Sequence, residues 1–429
     1  MADRAHSAAW LVPALLLVLG GSVSVHGQPL TLDLSVSTRY SDNINKQKNP
    51  TREDLEHRVG LRLNKRSDDQ GLCRGSLATD LGFSTYQRST FDNRVSGELD
   101  LNSYCQPAQW LRWNLRDTLR DRRTVAADPD TPDNRERRNV LATGPTLTRA
   151  LSRRTELFTD LEYQATRFER STGNDSNRYT LSAGAHHQLT PRWRSGVTAS
   201  HTDVDLFRRD ESIRRNNLSL NFSRPGDQSR ASGRIGYGWL SNRRGPFASD
   251  NNAITGELAY DATLLAGTRF NLQLQRDLSD TSTDFDVAIP GLELDLGEST
   301  AVAVTSVSAS VSQTIRPASQ VALQLSYSES DFISVDTREE RFNAILELTH
   351  PFRPRLSGGL DLSYRRADFD QGDGLIAHSV RPRVSLDFRQ TRHLHWNLGV
   401  GLEKRYDEGG VGREYQEHFL SLGLLWNLR

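Results

Sequence analysis

Arginine recurs at every second or fourth position in three stretches of the chain: Arg112, Arg116 and Arg120; Arg192 and Arg194; and Arg381 and Arg383. In extended backbone, successive side chains point to opposite sides, so this spacing sets each group of guanidinium side chains on one face. A row of permanent cations could guide an anionic solute or an acidic polysaccharide. The same face carries carboxylates, however, at Glu98 and Asp100, at Glu156, Asp160 and Glu162, and at Asp361 and Asp387. Mixed signs in neighbouring strands brace a sheet through cross-strand pairs, and that is the reading favoured here over anion selectivity. Cys73 and Cys105 are the only thiols, too few for a zinc cluster or a disulfide scaffold. They share parity with Leu77, Leu81, Leu99 and Leu101, and their midpoint falls in the polar stretch between those segments. Regular register then sets them opposite each other, and a structural cross-strand disulfide is predicted.

The remaining chemistry is thin. His57, His187, His378 and His418 fall on the opposite parity from the arginines, with no Ser or Asp at a spacing that marks a nucleophile and its base. Neither an HExxH zinc site nor a Gly-rich phosphate loop occurs, so no enzyme and no cofactor are expected. The acidic stretches Asp128–Asp133 and Asp280–Asp286 lack the spacing and the glycine of a calcium loop, so no metal is expected either. Within Asp280–Glu298 the apolar run Val287–Leu292 is a candidate to fold inward as a constriction.

Strands must position these residues. Leu30, Leu32, Leu34 and Val36 alternate with Thr31, Asp33, Ser35 and Ser37, which is the period of a strand and not of a helix. The pattern returns at Leu55–Leu63, Leu111–Leu119, Leu157–Tyr163, Ile235–Trp239, Val321–Tyr327, Leu394–Leu402 and Leu420–Leu428. Roughly twenty such segments are countable, with eighteen the alternative. Long polar stretches follow odd-numbered segments, at Ser41–Asp54, Arg122–Arg135, Asn242–Asn251, Asp280–Glu298 and Asp407–Glu414. Short turns marked by Pro follow even-numbered ones, at Gln106-Pro107, Thr190-Pro191, Arg224–Asp227, Arg316–Ala318 and Pro351–Pro354. One long and one short end is the pattern of an outer-membrane barrel, whose backbone can cross lipid only if every strand is paired. The expectation is an all-β fold, a transmembrane antiparallel up-and-down β-barrel, with the disulfide near the periplasmic rim and aromatics such as Tyr40, Trp110, Trp193, Trp239 and Trp426 at the interfaces.

The first residues read as an address. Arg4 and His6 precede an apolar run from Ala8 to Leu19 and a Val25-His26-Gly27 cleavage site, so residues 1–27 are expected to be a signal peptide and 28–429 one barrel domain. The 54 basic and 54 acidic side chains cancel, which argues against nucleic acid as a partner. With 36% hydrophobic residues and no long apolar run after the leader, a polytopic helical transporter is excluded.

The stretch Tyr40-Ser41-Asp42-Asn43-Ile44 resembles the Y-x-D-N-I opening of outer-membrane porin-like barrels associated with exopolysaccharide export systems, and Asn139–Tyr163 is similar to strands of that group. The resemblance implies a barrel in the outer membrane of a Gram-negative bacterium. Its expected surroundings are outer-membrane lipid and lipopolysaccharide, and its expected partners a polysaccharide or small solute and export-system proteins. The expected function is a porin-like channel for small solutes or an export-associated pore; the alternative is a non-conducting scaffold of a surface-polysaccharide assembly.

Overall fold

The computed structural model describes residues 30–67, 71–125, 127–244, 247–280, 301–316, 319–333, 337–370, 375–408 and 413–428. The leader expected over residues 1–27 and the candidate constriction at Val287–Leu292 lie outside them. Among the described residues twenty strands follow one another. The first five are β1 (Thr31–Ser41), β2 (Asp54–Arg66), β3 (Cys73–Tyr86), β4 (Arg94–Ala108) and β5 (Leu111–Arg123). Next come β6 (Arg135–Ala150), β7 (Thr155–Phe168), β8 (Ser176–Thr190), β9 (Trp193–Leu206) and β10 (Glu211–Arg224). The third group is β11 (Ser229–Arg244), β12 (Phe247–Leu265), β13 (Thr268–Asp280), β14 (Ala301–Arg316) and β15 (Ser319–Phe332). The last five are β16 (Thr337–Arg353), β17 (Leu356–Phe369), β18 (Leu375–Arg389), β19 (Leu394–Glu408) and β20 (Tyr415–Asn427).

Each strand pairs antiparallel with its neighbours in sequence, and β1 also pairs with β20, from Asp33 opposite Asn427 to Ser41 opposite Phe419. The sheet is therefore a closed barrel. No strand edge is left to meet lipid, which is the condition for an extended chain to cross a bilayer.

Alternation decides the two faces. Leu34 and Val36 lie level with Leu61 and Val59 of β2 and with Trp426 and Leu424 of β20; of these outward groups Val36, Val59, Leu61 and Trp426 are exposed and Leu34 and Leu424 half-buried. Between them, Ser37 and Arg39 lie level with Arg58 and Glu56 on the lumenal face. The hydrophobic surface is thus on the outside, where bilayer hydrocarbon replaces the core of a water-soluble domain. Trp110, Trp193, Trp239 and Trp426 are among the exposed aromatics, as the interfacial reading expects. Buried apolar groups gather instead toward the end with the longer connections. They form small clusters at Ile44, Tyr86 and Phe91, at Phe369 and Leu375, and at Val204, Leu206, Ile213, Leu240, Leu278 and Ala301.

Two sets of expected connections are corrected. Most of the polar stretch expected as a loop over Asn242–Asn251 is ladder: Asn242 pairs with Ser249 and Ser241 with Asp250, because backbone hydrogen bonding continues past the point where side chains stop being apolar. Pro107 and Pro351 lie within β4 and β16 beside register shifts at Cys105/Ala108 and Pro351/Arg353, so the turns close two or more residues later. An irregular strand end tolerates the missing N–H of proline.

Candidate functional site

The predicted arginines fall on the lumenal wall with one exception. On β5, Arg112 sets its guanidinium 5.8 Å over the Tyr104 ring, Arg116 pairs with Glu162 of β7 at 3.3 Å, and Arg120 with Asp100 of β4 at 2.7 Å. On β18, Arg381 lies 5.3 Å over the Phe419 ring and 3.9 Å from Glu403, while Arg383 donates to Asn397 at 3.4 Å and stands level with Asp361. Arg194 stands on β9 level with Gln188 and Ser223. Arg192 precedes the strand, exposed in the turn between β8 and β9. Opposite charges at these distances face one another across strands, so the row does not present a bare cationic track.

Cys73 and Cys105 stand directly opposite each other on β3 and β4 and form a disulfide. They are at the end of the hairpin away from its 87–93 connection, on the side of the barrel with the shorter turns.

The mouth at the other end holds a cluster that periodicity alone does not reveal. Ser41 ends β1 with its hydroxyl donating to Glu417 at 2.7 Å, and Arg39 binds the same carboxylate oxygen at 2.7 Å. Asn43 donates to the carbonyls of Gln47 and Gln416, which turns the chain inward. Ile44 then packs on Tyr86 and Phe91. Lys46, held at φ 51°, brings its ammonium 3.1 Å from Glu403 and 3.9 Å from Glu417, with the Tyr415 ring 5.6 Å away. Left-handed backbone is uncommon for a residue with a side chain, and here it aims the lysine at two wall carboxylates. On the outside of the same segment, Tyr40 donates to Glu53 at 2.9 Å, and Asp42 accepts from the backbone N–H and stands 2.7 Å from the ring of His418.

A second connection reaches the same region. In the segment between β5 and β6, Asp130 accepts two hydrogen bonds from Arg135 at 2.6 and 2.7 Å. Burial pushes its carboxyl up, but Arg135, with Lys46 and Arg123 nearby, outweighs this and holds it well below the usual carboxylate range. Asp128 pairs with Arg413 at 3.1 Å, and Ala127 packs against Phe369 and Leu375 of β17 and β18. These partners belong to β17, β18 and the residue stretch just before β20, far from β5 and β6 around the barrel. The connection therefore spans part of the mouth from one wall toward another. Among the described residues no group of three or more His, Cys, Asp or Glu side chains could hold a metal ion.

A closed antiparallel wall, apolar outside and hydrophilic within, defines an outer-membrane-type β-barrel of the architecture used by transporters and porins. Solved structures share it: the FrpB iron transporter from Neisseria meningitidis (8% identity, TM-score 0.44, 94% of this chain and 83% of that one), the copper transporter OprC (10%, 0.44, 93% and 80%), and OccK11 (OpdR) from Pseudomonas aeruginosa (14%, 0.41, 93% and 96%). At these identities the likeness concerns the fold alone. No protein-family profile and no curated protein sequence matches the chain.

Proposed function

We propose that this barrel is a porin-like channel for small hydrophilic solutes across the outer membrane, narrowed at its mouth by two inward-turned connections. The supporting observation is the lumenal wall itself. Its charges are matched strand to strand, as in Arg116 with Glu162 and Arg120 with Asp100, which lines a watery path without strong preference for either sign. A second reading, a pore or scaffold associated with exopolysaccharide export, is favoured by the Tyr40–Ile44 opening. Each residue of that opening ties the first connection to the wall, so the motif has a structural use in a barrel of either kind.

Single-channel recording of the refolded protein in planar bilayers tests the channel. Stable steps with a reversal potential near zero in a salt gradient are expected. Glu162→Gln, which leaves Arg116 without its carboxylate, should shift that potential toward anion preference. A folded, heat-modifiable barrel without conductance would overturn the channel reading in favour of the scaffold.

A further inference from the structure

Charge is distributed unevenly between the two ends of the barrel, although the chain as a whole is neutral. With the two strand residues on either side included, the nine connections at the short-turn end hold 17 Lys and Arg against 4 Asp and Glu. Counted the same way, the ten connections at the opposite end hold 16 against 27. Each of the nine short turns contributes at least one arginine, so the cations form a ring and not a patch.

Arg66 on β2, Arg74 on β3, Arg112 on β5, Arg194 on β9, Arg269 on β13 and Arg389 on β18 bring this ring onto the lumenal face. All six are exposed, and none stands within ion-pair distance of a carboxylate. Deeper in the lumen Arg58 pairs with Asp80, Arg116 with Glu162 and Arg120 with Asp100. Wall bracing accounts for those pairs but not for the ring, where like charges face one another around a mouth at a cost to the fold.

One arc of the ring is built more closely than the rest. Arg74 and Tyr104 stand opposite each other on β3 and β4, one residue in from the Cys73–Cys105 disulfide that fixes this end of the hairpin. Arg74 donates to the Tyr104 hydroxyl at 3.4 Å, and Arg112 from β5 sets its guanidinium 5.8 Å over the same ring. Tyr104 thereby holds two cations without neutralising either. Arg66, level with Ser76 of β3, extends the arc to β2.

We propose that this arc, Arg66, Arg74 and Arg112 around Tyr104, binds soluble anions bearing several phosphate or carboxylate groups, taken from the periplasmic side. Guanidinium groups are weakly hydrated and present paired donors that match both kinds of oxyanion. Low-dielectric walls focus the field of the ring at its own mouth, and screening confines it there, to about 8 Å at physiological salt. The matched wall farther in is therefore left without preference for either sign. The inference rests on the outer-membrane placement of the barrel; binding is read in solution, so it stands or falls apart from conduction.

The test is isothermal titration calorimetry of the refolded barrel in dodecyl maltoside with inositol hexakisphosphate, and with myo-inositol as the uncharged control. Saturable binding of the hexakisphosphate alone is expected, weakening about tenfold between about 50 and about 300 mM NaCl. Arg66→Ser, Arg74→Ser and Arg112→Ser combined break no ion pair, so heat-modifiable migration should match wild type while binding weakens about tenfold. Arg149→Ser, Arg192→Ser and Arg355→Ser combined remove as many charges from the turns and the outer side of the rim, and should change binding less than about twofold. No binding to wild type, or equal binding by the lumenal triple variant, overturns the site. Equal loss in both triple variants reduces the ring to a diffuse field and overturns the assignment to the arc. Loss in the rim variant alone assigns the cations to phospholipid head groups and overturns it as well. If the lumenal triple variant fails to fold, Arg112→Ser alone must weaken binding about threefold for the proposal to stand. A barrel that binds the anion yet shows no conductance would overturn the channel reading and leave this site in place.

Discussion

Lys46 ties the first connection to two carboxylates of the barrel wall. Its side chain and that of Glu403 are each only 10% exposed, and Glu417 is fully buried. Removing one partner of a buried pair leaves the other charge uncompensated, at a cost on the order of 3 kcal/mol. Lys46→Ala is therefore expected to lower stability in a guanidinium titration by about that amount and to increase the mean conductance and noise of the open channel. Asp130, held low by Arg135, is expected to keep the connection between β5 and β6 in place in mild acid. A carboxyl whose pKa is depressed by folding contributes stability above its unfolded value and loses it only as pH falls through the lower, folded one. Cleavage of the 124–134 segment by an acid-tolerant protease should thus stay unchanged from about pH 7 to about pH 5 and rise only in stronger acid. A rise already within the upper window would contradict the role given to Arg135.

At the scale of strands, period-two alternation made most of the architecture legible before any coordinates. Leu32, Leu34 and Val36 need lipid on one side while Ser35, Ser37 and Arg39 need water on the other, and only a closed sheet supplies both. The cysteine pair was readable for the same reason, since register follows from counting outward from a hairpin. What alternation could not show is where pairing stops. Asn242 and Ser249 are loop-like in type yet belong to a ladder, and Pro351 is turn-like yet lies in a strand. The inward course of the first connection was equally hidden, because Lys46 is hundreds of residues from Glu403 and Glu417 and meets them only through the closing pair of strands.

Two expectations test the faces directly. Leu323→Arg on the outward side of β15 should cost about 2–4 kcal/mol if it lies near the bilayer midplane, and Arg at lumenal Ser310 much less, as measured by unfolding in lipid vesicles. Replacing Cys73 and Cys105 by Ser, which opens a link between residues 32 apart, should lower stability by about 2–4 kcal/mol and leave conductance unchanged.

For the whole molecule, the seam between β1 and β20 sets the order of events. Every other pairing joins strands that are neighbours in sequence, whereas this one joins Ser41 to Phe419. Contacts between distant parts of a chain form late, because the entropy of bringing them together must be met first. The anchors of the first connection lie across that seam: Asn43 bonds the carbonyl of Gln416, Ser41 bonds Glu417, and Lys46 reaches Glu403. None of them can exist in an open sheet. Loop 42–53 is thus a timer for biogenesis: on a nascent barrel only its contacts with β1 and the β3–β4 hairpin, Tyr40 with Glu53 and Ile44 with Tyr86 and Phe91, can hold it, and its full resistance to protease is expected to mark the moment the cylinder is sealed.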